Sequence, residues 1–162
     1  MATEMDRSAR QVMIEQYKKG YQEVAEAVAG ATDAELDARP ALGKWSTREI
    51  VHHLADSEMT SAVRIRNLIA TDNVAIVGYD QEVFARRLHY DRPIAASLAA
   101  FKAARETTAE LLDRLSEADW KREGTHTEHG RYGMDTWLGI YSVHARDHAD
   151  QIRRARASAR RG

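Results

Sequence analysis

The chain contains no cysteine, which excludes disulfides, zinc fingers, iron–sulfur clusters and a protein thiol nucleophile. Any metal must therefore be held by histidine and carboxylate. Prolines number 2 and glycines 9 in 162 residues, so little interrupts a helix. Nowhere do about 18 consecutive apolar residues suggest a membrane span. Charge of one sign is also missing: 24 basic against 25 acidic residues leave a formal charge of -1, too little to gather nucleic acid or an anionic membrane. The opening stretch MATEMDRSAR has no apolar signal-peptide core, and a soluble, cytoplasmic protein is expected. With 43% hydrophobic residues, the chain is long enough to bury a sizeable core as one domain, 1–162.

Apolar residues recur every three or four positions over long stretches, which predicts an all-α fold. The first helix is expected from about Thr3 to Val28, with Met13, Tyr17, Gly20, Val24 and Val28 along its buried stripe and Gly30 as its stop. A short turn, DAELDARP, follows. Ser46 and Glu49 in WSTREI form a capping box that starts a second helix at Thr47, running to about Ala70. After the irregular TDNVAIVGYD, the segment DQEVFARRL suits a short helix. Pro93 fits a first helical turn, opening a third helix that carries Ile94, Leu98, Phe101, Thr108, Leu112 and Leu115. SEADWKREGTHTEHGRYG is polar and glycine-bearing, hence a connection, and the last helix begins near Met134. Four amphipathic helices predict a four-helix bundle. Its two middle connections are about twenty residues each, longer than bundles usually need, so simple up-down-up-down order is not implied.

The last helix raises a question of its own. In YSVHARDHADQIRR, Trp137, Tyr141, His144, His148, Ile152 and Ala155 share one face, so two imidazoles are aimed where leucines would ordinarily sit. Helix two offers a third. In EIVHHLADSE the buried stripe runs through Ile50, Leu54, Ser57, Ser61, Ile65 and Leu68. His53 lies about 75° from its centre, whereas His52 points away, to solvent or another segment. Residues four apart on a helix have Cβ atoms about 5–6 Å apart, close enough for His144 and His148 to reach one ion. An ion would satisfy imidazoles that are costly to bury unpaired.

The stretches KWSTREIVHHLADSE, VGYDQEVFA and GIYSVHARDHADQI resemble the DinB/YfiT-like superfamily of bacterial four-helix-bundle metalloproteins, which is distinct from the DNA polymerase sharing the DinB name. The resemblance spans nearly the whole chain and is specific at His53, His144 and His148. It implies a divalent metal, often nickel or zinc, with open positions. It also implies either transfer to or from a low-molecular-weight thiol co-substrate, such as bacillithiol or mycothiol, or hydrolysis of a small-molecule substrate. A homodimer is implied as well. Three neutral ligands leave the double charge of such an ion uncancelled, which suits activation of water or of a thiol brought from outside.

The general acid or base is not named by the pattern. Asp56, one turn after His53, either orients the imidazole, meets bound water, or is a solvated helix carboxylate. Tyr141, on the face of His144, is either a hydrogen-bond donor to substrate or water, or packing with its hydroxyl satisfied. These two are the candidate catalytic residues. Asp147 is expected at the surface. Arg64 lies on the inner flank, where it meets an acidic group or snorkels. His126 and His129 in HTEHG offer a weak second pair without a third ligand in view. The arginines of RRARASARRG match a helix C-terminus rather than a phosphate grip. A non-catalytic metal-binding stress-response protein and a metal-free bundle stand as the alternatives to an enzyme.

Overall fold

A computed structural model describes residues 5–161. Its elements in chain order are α1 (Arg7–Val28), α2 (Asp33–Asp37), α3 (Thr47–Ala70), β1 (Ala75–Ile76), α4 (Gln81–Arg87), α5 (Ala95–Leu112), α6 (Glu117–Trp120), β2 (Glu123–His126), β3 (Gly130–Gly133) and α7 (Met134–Ser158). The expected start at Thr3 lies outside the described residues. Among these, the first helix opens at Arg7, where the Asp6 carboxylate accepts the backbone N–H groups of Ser8 and Ala9.

The four long helices α1, α3, α5 and α7 form the expected four-helix bundle. α1 packs chiefly on α7 and α3 chiefly on α5, while α3–α7 and α1–α5 contacts close the ring. Consecutive helices α1 and α3 therefore sit diagonally, and so do α5 and α7. The long connections make this order possible, because each can cross an end of the bundle.

The capping box at α3 is present with both halves: Glu49 N–H donates to Ser46 Oγ at 3.2 Å, and Ser46 N–H donates to the Glu49 carboxylate at 2.8 Å. Every residue of the expected α3 stripe is buried. Smaller corrections fall elsewhere. DAELDARP is a short helix rather than a plain turn, capped by a second box between Thr32 and Glu35. Pro93 stands just before α5, whose N-cap is Ile94, and the helix closes at Leu112 rather than Leu115. Met13 and Val28 are only partly buried, and Ile14 and Ala27 take the deeper positions.

The polar 116–133 connection contains α6 and a hairpin. β2 pairs antiparallel with β3, and β1, from the stretch expected to be irregular, joins β2 in parallel. Gly130, with φ +78°, supplies the left-handed residue at the hairpin turn. These strands are two to four residues long, too short for a period-two apolar pattern to show.

A polar network ties the four helices together in the core. Arg105 of α5 and Glu58 of α3 are 2% and 0% exposed. The Arg105 Nε–H donates to Glu58 Oε2 at 3.0 Å, and its other nitrogens donate to the carbonyls of Tyr17 (2.6 Å) and Tyr141 (2.8 Å). The Tyr17 hydroxyl donates to Glu58 Oε1 at 2.6 Å. Gly20 of α1 is required beside it, because a Cβ there would lie 2.0 Å from an Arg105 nitrogen.

Candidate metal centre

α3 and α7 bring His53, His144 and His148 together. One ring nitrogen from each lies within 4.8 Å of the other two. The Nε2 atoms of His144 and His148 are 3.2 Å apart. Two nitrogens bound at about 2.0–2.1 Å to one ion lie about 2.9 Å apart across a right angle and about 3.3 Å apart across a tetrahedral angle. The observed pair falls between these limits, so the donor set fits a divalent ion.

The surroundings favour lone pairs over protons. The Nδ1–H of His148 donates to Gln151 Oε1 at 2.7 Å, which leaves Nε2 of that ring unprotonated and aimed at His144. Nδ1 of His144 is buried without a hydrogen-bond partner. His53 makes no side-chain hydrogen bond among the described residues. It is held by its neighbours' rings, with centroids 4.8 Å from His148, 5.5 Å from His144 and 4.9 Å from Trp45. Trp45 is in turn fixed by its indole N–H, which donates to Glu82 of α4 at 3.3 Å.

Burial governs the protonation of all three. Desolvation, followed by the influence of His148, pushes His53 down to about 3. Desolvation, then His148, His53 and Arg105, push His144 down to about 2. His148 is lowered by desolvation too, with Gln151 opposing. The rings are therefore neutral at pH 7, the state a metal ligand needs.

Acid should destabilise the metal-free protein as a result. Below the ordinary value of 6.5 the unfolded chain takes up protons that the folded chain refuses, so stability rises with pH between about 3 and 6.5. His53 and His144 each contribute up to ~1.4 kcal/mol per pH unit in that window. Urea denaturation of chelator-treated protein at pH 7 and pH 5 measures the difference. Equal midpoints would contradict neutral burial.

Neither candidate catalytic residue joins the three-histidine cluster. Asp56, one turn from His53, is half-buried, and its Oδ2 accepts the Tyr90 hydroxyl at 2.6 Å. It is therefore not simply a solvated carboxylate. Tyr141 is buried, with its ring edge-on to His144 at 5.7 Å. Asp147 is exposed. His52 points away from the cluster but not into solvent: it is 0% exposed. Its Nε2–H donates to the Arg92 carbonyl at 2.8 Å, and its Nδ1 lies 2.7 Å from Ser97 Oγ. The reason is the α4–α5 connection and α5 itself, which cover that side of α3. His52→Ala should therefore cost about 2–3 kcal/mol of stability through the cavity and the stranded partners while leaving metal binding unchanged. Calorimetric unfolding and metal titration of the same sample read both.

The second histidine pair gains a third neighbour absent from the sequence reading. His126, Glu128 and His129 offer ligand atoms within 4.8 Å of one another. Against a metal there, Nδ1 of His126 accepts the Glu128 backbone N–H at 3.1 Å, and Glu128 and His129 are exposed. At the chain's end, Arg156 donates to the carbonyls of Ala27 and Ala29 at 2.7 and 3.0 Å. It thus caps α1 as well as complementing the end of its own helix. Sequence reasoning missed Trp45 and Gln151. The latter was within reach, since it stands three residues after His148 on the same helix.

An α-helical bundle with three inward imidazoles on two helices defines a class of histidine-lined helical bundles. Residues 16–152 match the DinB superfamily model, and the chain belongs to that family. A protein of Oceanobacillus iheyensis named "Putative metal-dependent hydrolase" is 33% identical over 125 residues, covering 77% of this chain and 73% of that protein. A protein of the same name from Bacillus mycoides is 29% identical over 130 residues, covering 80% and 75%. Among solved structures, YfiT from Bacillus subtilis, described as a probable metal-dependent hydrolase with an unusual four-helix bundle topology, matches with a TM-score of 0.87. It is 25% identical, and the match covers 99% of this chain and 91% of YfiT. No described helix is long and apolar enough to cross a membrane.

Proposed function

We propose that this chain is a metal-dependent hydrolase whose divalent ion, nickel or zinc, is held by His53, His144 and His148. The observation that carries the reading is the 3.2 Å approach of two Nε2 atoms in a pocket that keeps all three rings neutral. The names borne by its relatives support the same class. When bound, such an ion supplies a Lewis acid and brings the pKa of water toward 7.

The chain's own residues do the rest. Gln151 fixes the tautomer and tilt of His148. Trp45 packs on His53 and shields that side of the cluster from water. Asp56 is the candidate base: the Tyr90 hydroxyl holds one carboxylate oxygen, and the other makes no hydrogen bond among the described residues. Tyr141 is the candidate donor: it is buried edge-on to His144, with its hydroxyl beside that of Tyr132. A small-molecule substrate, a homodimer and a cytoplasmic location complete the proposal. Light scattering that returns a monomer mass would remove the dimer.

In a second reading a low-molecular-weight thiol is the nucleophile, and because the chain has no cysteine that thiol must come from outside. Tag-free protein is expected to purify with one equivalent of metal and to cleave members of an ester and amide panel. Turnover that requires an added thiol would select the second reading. Stoichiometric metal with no turnover under either condition would leave a non-catalytic metal-binding protein, and no metal at all would leave a metal-free bundle.

A further inference from the structure

Between the small sheet and the histidine cluster, hydrogen-bond donors outnumber acceptors. Arg64 of α3 donates through one terminal nitrogen to the Val77 carbonyl at 2.8 Å. Its Nε is buried with no partner, and among the described residues it forms no salt bridge. Tyr132 of β3 is 3% exposed. Its buried hydroxyl meets no partner at strict hydrogen-bonding geometry, yet its oxygen faces the Arg64 side chain and the Tyr141 hydroxyl, both of which act on it as donors, and its own proton is left without an acceptor. Tyr141 of α7 faces the same group, since Tyr132, Arg64 and Tyr79 all act on its ionisation. His126 of β2, buried, stands 5.7 Å from the Tyr132 ring. Because its Nδ1 accepts the Glu128 N–H, its proton sits on Nε2, a further donor. The carboxylate of Glu128 lies beside His126 and Gly78 but is exposed.

Guanidinium and imidazole N–H groups cannot accept hydrogen bonds, and buried donors are rarely left empty. What satisfies them is an oxygen group of negative charge, for which Arg is the preferred partner. A single cation matches a monoanion better than a dianion. The cluster is also adjacent to the histidines: Tyr141 precedes His144 by one helical turn and meets its ring at 5.7 Å.

We propose that Arg64, Tyr132 and Tyr141 form a subsite that binds a carboxylate group of the substrate beside the three-histidine cluster. Carboxylate binding stands on these residues alone, whereas its service to catalysis rests on the hydrolase reading above. The reacting bond of the substrate then lies toward His144, with the carboxylate on the sheet side.

The first arm of the test needs no metal. Chelator-treated protein with isotope-labelled tyrosine rings is titrated with sodium acetate, acetamide and inorganic phosphate. Acetate is expected to shift the Tyr132 and Tyr141 ring resonances saturably, and acetamide is not. Tyr132→Phe, which removes one oxygen only, should weaken acetate by about 5-fold, and Arg64→Gln by about 10-fold or more. Tyr132→Phe keeps the test alive if Arg64→Gln does not fold. No saturable acetate shift in the wild type, or equal shifts by acetamide, would overturn the proposal. Phosphate binding tighter than acetate would overturn the assignment to a carboxylate.

The second arm uses metal-loaded protein and paired substrates differing by carboxylate against carboxamide. The wild type should favour the carboxylate member by about 10-fold in kcat/KM, with the preference lost in Arg64→Gln. No preference in an active enzyme would overturn the catalytic role of the subsite. Acetate binding without any turnover would leave the subsite standing and refute the hydrolase reading alone.

Discussion

His148→Ala is expected to lower divalent-metal affinity by on the order of 100-fold or more, a loss greater than the 10–100-fold typical when only a supporting hydrogen bond around a metal is removed. The substitution deletes one of two Nε2 atoms that stand 3.2 Å apart and leaves two nitrogens on separate helices, too few to hold an ion against water. His53→Ala should act alike from the other helix. Gln151→Ala retains all three nitrogens but frees the His148 ring to rotate, so its effect should fall nearer 10-fold. His52→Ala should have none. Isothermal titration with zinc and nickel measures the series. A metal that binds the native fold also raises its unfolding temperature, and that rise should disappear in His148→Ala. Undiminished affinity in this variant would refute the proposed ligand set, whatever the fate of activity.

The part of this site that was legible in the sequence was its periodicity. Trp137, Tyr141, His144, His148 and Ile152 keep one face of a helix whatever surrounds it, because 3.6 residues per turn is a property of the backbone. The same geometry separated His53 from His52 in direction. It could not give His52 its surroundings, since burial depends on the α4–α5 connection and on Ser97, 45 residues away. Helix starts were readable where a side chain closes the first turn, as at Ser46–Glu49. The same signature at Thr32–Glu35 lay unread within an assumed turn.

Contacts across the fold were not legible. Nothing local joins Trp45 to His53 and Glu82, or Tyr90 to Asp56, because those pairs meet only when the long connections fold over the end of the bundle. The hairpin was hidden for a different reason. Its strands are short and polar, and a register is visible only when one face is apolar over several residues. Arg64 and Tyr132 were thereby separated in the sequence reading, one on a helix flank and the other in an apparent loop.

The buried ion pair was half-visible, and it carries the second large effect. The α5 stripe steps from Phe101 to Thr108, a gap of two turns whose middle position is Arg105; on α3, Glu58 stands between Leu54 and Ser61 at helical spacing. A charged residue in each stripe at the same depth is a signature of mutual neutralisation. Removing one partner, as in Glu58→Gln, leaves the Arg105 charge uncompensated among Tyr17, Phe101 and Tyr141, and should cost about 3–5 kcal/mol. Arg105→Met should cost a similar amount, because it strands Glu58 and the Tyr17 and Tyr141 carbonyls together. Replacing both, Glu58→Leu with Arg105→Met, removes two desolvated charges at once and should recover much of the loss. The carbonyls that lose their donors limit the recovery. Urea unfolding of the two single variants and the double variant forms a double-mutant cycle. A coupling near zero would show that the pair is not a unit. A large coupling with unchanged zinc affinity would assign the pair to the stability of the bundle alone, whereas a large coupling with weakened zinc affinity would assign it to holding α1, α3, α5 and α7 in register, so that histidines from two of those helices can meet.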